Sequence, residues 1–345
     1  MTEYPQDGTA GQDAAPAMQL CATIEGMMAA QVIGTAARLG LADHLAPGPK
    51  PAGEVVRAIG AHPGLGRRFL LACATVGLLT ETGPGVFALT PAGECLRSGD
   101  QSLRDLAIVT TSPGFWLSIG RLGDVVTTGR PAAERALGMT IWDYYRANPE
   151  ESAHFTAAMR QNTAESPAEL VRHYDFSRFT RIVDVGGGCG DLLAAILAAA
   201  PSASGVLFDR AEAVKAAAEV MAAQGVTGRA EVAAGDFLDE VPPGGDLYVM
   251  RLVLCDWDDD HAVRILRNCR RAGQPGARVL IAEMLLPGAD AGSARHLQDL
   301  MEFTVTGGQL RTPADLEKLT AEAGYRGGQV VTALDAMSLF EAQAP

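Results

Sequence analysis

Arg181-Ile182-Val183-Asp184-Val185-Gly186-Gly187-Gly188-Cys189-Gly190, followed by Asp191-Leu192-Leu193-Ala194-Ala195-Ile196-Leu197, decides the reading of this chain. A short β-branched run enters a glycine turn and leaves it as an alanine- and leucine-rich helix, which is how a doubly wound α/β domain begins its ligand crevice. Glycine is wanted there because the backbone turns sharply and a ligand must approach it with no Cβ in the way. The segments that follow agree. Gly205-Val206-Leu207-Phe208 predicts a second strand ending at Asp209, about 20 residues beyond the glycines, where a carboxylate can accept from both hydroxyls of a ribose. A third strand near Val232 ends in Gly235-Asp236-Phe237, with the Asp placed to accept from an adenine amino group and the Phe to pack on the ring. Asp246 to Leu252 and Arg278 to Ala282 predict two more strands, separated by a helix over Asp258 to Arg271. That helix is acidic at its start and carries Arg267, Arg270 and Arg271 at its end, as the macrodipole favours.

The glycines read G-x-G-x-G, with Gly190 third, whereas a dinucleotide fingerprint would place its third glycine one position later, at Asp191. A carboxylate there would repel a pyrophosphate. S-adenosyl-L-methionine carries an ammonium and a sulfonium and no phosphate, so a turn flanked by Asp184 and Asp191 suits it better than it suits a dinucleotide.

Outward from this turn, the chain has 345 residues and a net charge of −13. The acidity argues against nucleic acid or an anionic membrane as the main partner. Residues 1–16 are polar and without apolar period and read as a disordered tail. From Met18, Leu20, Ile24, Met27, Met28 and Val32 recur at helical spacing up to Gly40, a C-cap, as in a core or subunit-interface helix. Short helices around Glu54 to Ile59 and Arg67 to Val76 lead to a β-hairpin, Leu78 to Glu81 and Val86 to Leu89 about the Gly83–Gly85 turn. Helices followed by a hairpin suggest a winged-helix-like unit. Lys50 to Arg97 holds five basic and three acidic residues, too few cations for a phosphate-binding face, so a dimerisation wing is preferred to a DNA-binding regulator. The domains are placed at 17–100 (dimerisation), 101–175 (helical linker and substrate-pocket region) and 176–345 (cofactor-binding and catalytic). The six cysteines are scattered without metal-site spacing, so no metal is expected. The longest uninterrupted apolar run, Leu192 to Ala200, is too short for a membrane span, and no basic residue precedes Arg38. A cytoplasmic protein follows, with no membrane partner.

The chain resembles the plant-type small-molecule O-methyltransferases and their bacterial relatives of aromatic polyketide and antibiotic biosynthesis. The similarity rests on Leu39-Gly40-Leu41-Ala42-Asp43-His44-Leu45, Leu89-Thr90-Pro91-Ala92-Gly93, the glycine turn, Gly235-Asp236-Phe237 and Cys255-Asp256-Trp257-Asp258-Asp259. Ile265-Leu266-Arg267-Asn268-Cys269, Glu283 before Leu286-Pro287, Thr306-Gly307-Gly308 and Arg311-Thr312 extend it. It implies an α/β fold: a doubly wound, seven-stranded Rossmann-like methyltransferase sheet behind an N-terminal, mainly helical, winged-helix-like dimerisation domain. It also implies a homodimer, a small-molecule substrate, S-adenosyl-L-methionine as cofactor and S-adenosyl-L-homocysteine as product. Gly186, Gly188, Asp209, Gly235, Asp236, Phe237 and Arg251 would hold the cofactor.

One departure matters. Where the plant enzymes carry a His as general base, oriented by two glutamates, this chain has Cys255, with Glu283 for one glutamate and Leu310 for the other. A thiol is a few per cent ionised near neutrality, and less beside a carboxylate, so Cys255 reads first as pocket lining. Glu302 stands at a position that is commonly an apolar, substrate-facing Met in the family, with Asp299 one residue short of a helical turn before it, and paired carboxylates in an apolar pocket have separated pKa values. The catalytic candidates are therefore Cys255, Glu302 and Glu283, with His173 and His296 weaker. Trp142, Phe155, Met159, Asp299 and Glu302 are the substrate-binding candidates. The expected reaction is methyl transfer driven mainly by proximity. A non-methylating hydroxylase, decarboxylase or pericyclase of the same fold, or a C- or N-methyltransferase, is the alternative.

Overall fold

A computed structural model describes residues 10–99, 102–161, 167–287, 293–334 and 337–345. Two compact units emerge, residues 1–116 with 148–162, and 117–147 with 163–345. The stretch expected to form one linker from 101 to 175 is thus shared between them, because its helices pack on different cores.

The first unit opens with a helix over Ala10–Arg38. It begins eight residues before Met18, so the expected tail is helical from Ala10 onward. Alanines at 10, 14 and 15 favour the helix, while Pro16, past its first turn, removes one of its backbone hydrogen bonds. Residues 1–9 of that tail lie outside the described residues. Met18, Leu20, Ile24, Met27 and Met28 are all at least 60% exposed. By length and composition, Pro16–Arg38 is also apolar enough to cross a membrane, a property missed by counting only uninterrupted apolar runs. Gly40 ends the segment in the left-handed region, as a C-cap should. Helices Leu41–Leu45, Ala52–Ala58 and Pro63–Thr75 follow. They pack Leu41, Leu45, Val55 and Leu70 around Phe87. Phe87 lies on the wing, a three-stranded sheet in which β1 (Lys50–Pro51) and β2 (Leu79–Gly83) flank β3 (Val86–Leu89). Helix Pro149–Gln161 belongs to this unit and meets helix Arg104–Thr110 through His154 and Asp105, 2.7 Å apart.

The second unit is built on seven strands: β4 (Arg181–Val185), β5 (Ser204–Asp209), β6 (Ala230–Ala234), β7 (Leu247–Arg251), β8 (Arg278–Glu283), β9 (Arg326–Ala333) and β10 (Ser338–Gln343). Their order is β6-β5-β4-β7-β8-β10-β9. The first five are parallel, and β10 runs antiparallel to β8 and β9. Alternate residues feed two cores, one on each face. Val183, Val279 and Ile281 enter one, while Ile182, Leu280 and Ala282 enter the other. Burial on both faces explains why these strands read as continuous apolar runs. Strand order reverses at β4, between β5 and β7, so the crevice opens at the C-terminal end of β4, where the glycine turn lies.

Candidate active site

Gly186 has φ 71° and leaves β4 with its amide donating to the Phe208 carbonyl at 2.8 Å. A Cβ there would come within 2.7 Å of Val253. Gly188, at φ 59°, has open space where its Cβ would stand, so its backbone can be approached. Its amide donates to Asp209 Oδ2 at 2.8 Å, and Asp209 Oδ1 accepts from the Arg210 amide at 2.6 Å. Asp209 therefore fixes the turn as well as facing the crevice. Burial raises its carboxyl above the ordinary value, against its two backbone hydrogen bonds and Arg210.

Asp184 lies beneath the turn, 1% exposed, with no side-chain hydrogen-bond partner and only the Leu193 backbone as a hydrogen-bond donor to it. Its Oδ2 would stand 2.4 Å from a Cβ on Gly187, so it presses directly on the turn. Burial first, then the Asp209 charge, pushes its pKa up to about 7, while Arg251 pulls the other way. Arg251 thus reaches the site as the cation opposite Asp184. A buried, under-satisfied carboxylate beside Asp209 suits a cationic ligand and opposes a phosphate. The observed chemistry therefore fits S-adenosyl-L-methionine. Gly235 closes on Phe208, whose ring would be 2.6 Å from an added Cβ. Exposed Asp236 accepts from the Leu238 amide at 2.8 Å, fixing the turn that presents half-buried Phe237.

The acceptor side is organised by the turn after β7. Leu252 adopts φ 54°, and the Val253, Leu254 and Cys255 amides then converge on Glu283 Oε1 at 3.2, 2.9 and 3.3 Å. Glu283, buried at the end of β8, is thereby committed to holding backbone. Arg311, equally buried, grips the same turn from outside, donating to the Leu254 carbonyl at 2.6 Å and the Trp257 carbonyl at 2.8 Å. Gly308 approaches so closely that a Cβ would fall 1.9 Å from the Cys255 carbonyl oxygen.

Cys255 is 5% exposed, and burial, followed by Glu283, Asp256 and Glu302, pushes its thiol well above its ordinary value. Burial and three neighbouring carboxyl groups thus oppose ionisation of the thiol. Glu302 comes from helix Arg295–Val305 and is half-buried. Burial, then Glu283 and Asp299, raises its pKa to about 7. Half-buried Asp256, which motif reading passed over as a chemical group, is raised well above its ordinary value by burial, Glu302 and Glu283, against Arg210. Asp299 accepts from the Leu310 amide at 2.8 Å and still acts on Glu302, while Asp256 adds a further carboxyl group to the expected Asp299–Glu302 pair.

Trp142, from helix Ile141–Ala147, joins the site through Trp257, with ring centroids 6.2 Å apart and planes at 19°. Phe155 and Met159 lie in the first unit, on helix Pro149–Gln161. His173 and His296 are exposed, and His173 pairs with Glu169 at 3.0 Å. Arg210 and Asp256 were missed because neither stands at a spacing that marks a ligand; only adjacency to Asp209 and Cys255 could have flagged them.

Comparison with known proteins agrees with this geometry. Residues 21–99 match a profile described as an O-methyltransferase dimerisation domain, and residues 119–326 one described as an O-methyltransferase domain. The chain is 37% identical over 321 residues to a phenazine O-methyltransferase of Lysobacter antibioticus, covering 93% of this chain and 94% of that one. It is 38% identical over 326 residues to the O-demethylpuromycin-O-methyltransferase of Streptomyces alboniger, covering 92% and 86%. The solved mitomycin 7-O-methyltransferase superposes with a TM-score of 0.90 at 30% identity, over 98% of this chain and 100% of that one. An O-methyltransferase from neocarzinostatin biosynthesis, solved with S-adenosylmethionine and 2-hydroxy-5-methyl naphthoic acid, gives 0.80 at 35% identity, over 92% and 96%.

Proposed function

The chain belongs to the O-methyltransferase family, and we propose that it transfers a methyl group from S-adenosyl-L-methionine to a hydroxyl of an aromatic or polyketide-like natural product. The observation that carries this reading is the buried Asp184 carboxylate, without a side-chain partner, under a glycine turn whose open face is Gly188. When bound, the cofactor supplies a methyl on a sulfonium centre and leaves as the neutral thioether S-adenosyl-L-homocysteine. Asp209 would accept from its ribose, Asp236 and Phe237 would meet its adenine, and Gly188 would leave the backbone clear for it, with Gly186 and Gly235 making room for Val253 and Phe208 beside the site. Asp184, balanced by Arg251, would face its cationic end.

On the acceptor side Glu302 takes the hydroxyl proton, standing near neutrality as a proton acceptor should. Glu283 and Arg311 hold the Leu254–Trp257 backbone, and Cys255 lines the pocket as a neutral thiol. Trp142 and Asp256 bound the acceptor space. The rate then comes chiefly from alignment of donor and acceptor. The exposed Met18–Met28 flank, which overlaps the segment matched to a dimerisation domain, is the proposed face for a second copy of the chain.

The test is mass spectrometry of the purified protein with S-adenosyl-L-methionine and a panel of phenolic polyketides and naphthoates. A product heavier by one methylene, with one S-adenosyl-L-homocysteine per product, is expected. Binding of the cofactor without homocysteine product from any phenol would overturn the reading. Methylation confined to amine acceptors would overturn the choice of oxygen, and a relative that is 36% identical is named an N,N-dimethyltransferase.

A further inference from the structure

Arg210 follows β5 directly, and Trp257 follows the turn after β7. In the sheet β5 and β7 lie on either side of β4. Trp142 reaches both: the Arg210 guanidinium carbon is 5.4 Å from its ring centroid, and Trp257 stacks on it. Trp257 in turn meets Phe237 edge-on at 5.7 Å between centroids. The chain Arg210–Trp142–Trp257–Phe237 therefore arches from one neighbour of β4 to the other, across the mouth of the crevice that begins at the glycine turn. Every member belongs to one compact unit.

Arg210 is half-buried and is a cation facing carboxylates from three elements. It lowers the pKa of Asp143 on the Trp142 helix, opposes the raised pKa of Asp209 on β5, and opposes that of Asp256 beside Trp257. Asp143 is further anchored by Thr140 at 2.9 Å and Arg146 at 2.5 Å. A guanidinium seated over an indole face and drawn by charge from each side pins the arch where its two ends meet.

Building on the proposed use of S-adenosyl-L-methionine, we propose that Arg210 is a positioning residue of the cofactor site: it holds Trp142 down against Trp257, closes the arch over the bound cofactor, and so sets the rate at which S-adenosyl-L-homocysteine leaves. The measurement is stopped-flow release of S-adenosyl-L-homocysteine, followed by tryptophan fluorescence. A cation–π contact of ~0.5–2 kcal/mol corresponds to release about 2- to 30-fold faster in Arg210→Leu. Arg210→Lys, which keeps the cation, should restore part of the slow release, and Trp142→Ala should accelerate it as Arg210→Leu does. Thermal midpoints of the cofactor-free variants are read alongside. Release at the wild-type rate in both Arg210→Leu and Trp142→Ala overturns the closure role. Equal acceleration in Arg210→Lys and Arg210→Leu also overturns it, because the cation would then be irrelevant. If the wild-type protein binds neither S-adenosyl-L-methionine nor S-adenosyl-L-homocysteine, the functional reading itself falls, and the closure proposal with it.

Discussion

The two walls of the crevice are built by opposite means. On the glycine-turn side, backbone does the shaping: Gly186 and Gly188 clear the approach, and Asp209 ties the turn with two amide hydrogen bonds. On the acceptor side, buried charges shape the backbone: Glu283 collects three amides and Arg311 two carbonyls, so that Cys255, Asp256 and Trp257 are displayed on a rigid turn. A wall made by backbone can exchange few residues. A wall held by Glu283 and Arg311 can change the side chains it displays, Cys255 among them, while keeping its shape.

Exchanging side chains on each wall tests this contrast. The largest effect is expected for Glu302→Gln. Loss of a general base should lower kcat roughly 100-fold while leaving cofactor affinity intact, and the limb of the pH–rate profile that rises through about 7 should flatten. An unchanged profile would remove Glu302 from the chemistry. On the opposite wall Asp209→Ala should weaken S-adenosyl-L-homocysteine binding by about 10- to 100-fold, measured by calorimetry, since charge-assisted hydrogen bonds are worth ~1.5–3 kcal/mol.

Asp184 adds a pH signature to that wall. Its pKa rises from 3.8 to about 7 in the folded chain, so between these values the folded protein holds a proton that the unfolded chain has released. Stability attributable to this group is therefore present in acid and lost as pH rises through about 7. A cationic cofactor favours the ionised form, so affinity should increase roughly ninefold from pH 6 to pH 8, with proton uptake or release visible in buffers of different ionisation enthalpy. Asp184→Asn should abolish both slopes; a variant that keeps them would assign the proton elsewhere. The smallest effect belongs to Cys255→Ala, expected to alter kcat by less than about threefold because the neutral thiol moves no proton. A hundredfold loss there would falsify the assignment of the base to Glu302.

The same contrast explains what the sequence disclosed. The glycine turn, the strand ends at Asp209 and Gly235, and the five parallel strands were legible because each depends on spacing along one local segment, whereas β9 and β10 were not read from their residues. The approach of Asp256 to Glu302 was not legible, because it depends on where helix Arg295–Val305 meets the turn after β7. Glu283 touches the Cys255 side chain and also holds three backbone amides, and the backbone role has no signature in the sequence. The start of the first helix at Ala10 was hidden by Pro16 and by the absence of apolar period, although alanine needs no apolar face to be helical.

β9 precedes β10 in the chain, yet β10 lies between β9 and β8 in the sheet. Synthesis therefore delivers β9 before it has anything to pair with, and its ladder exists only once Ser338–Gln343 has been made and slotted into the gap. Until then two bare strand edges are on offer to any neighbouring nascent chain, which is the usual entry to aggregation. The order of translation and the order of strands oppose each other at this edge.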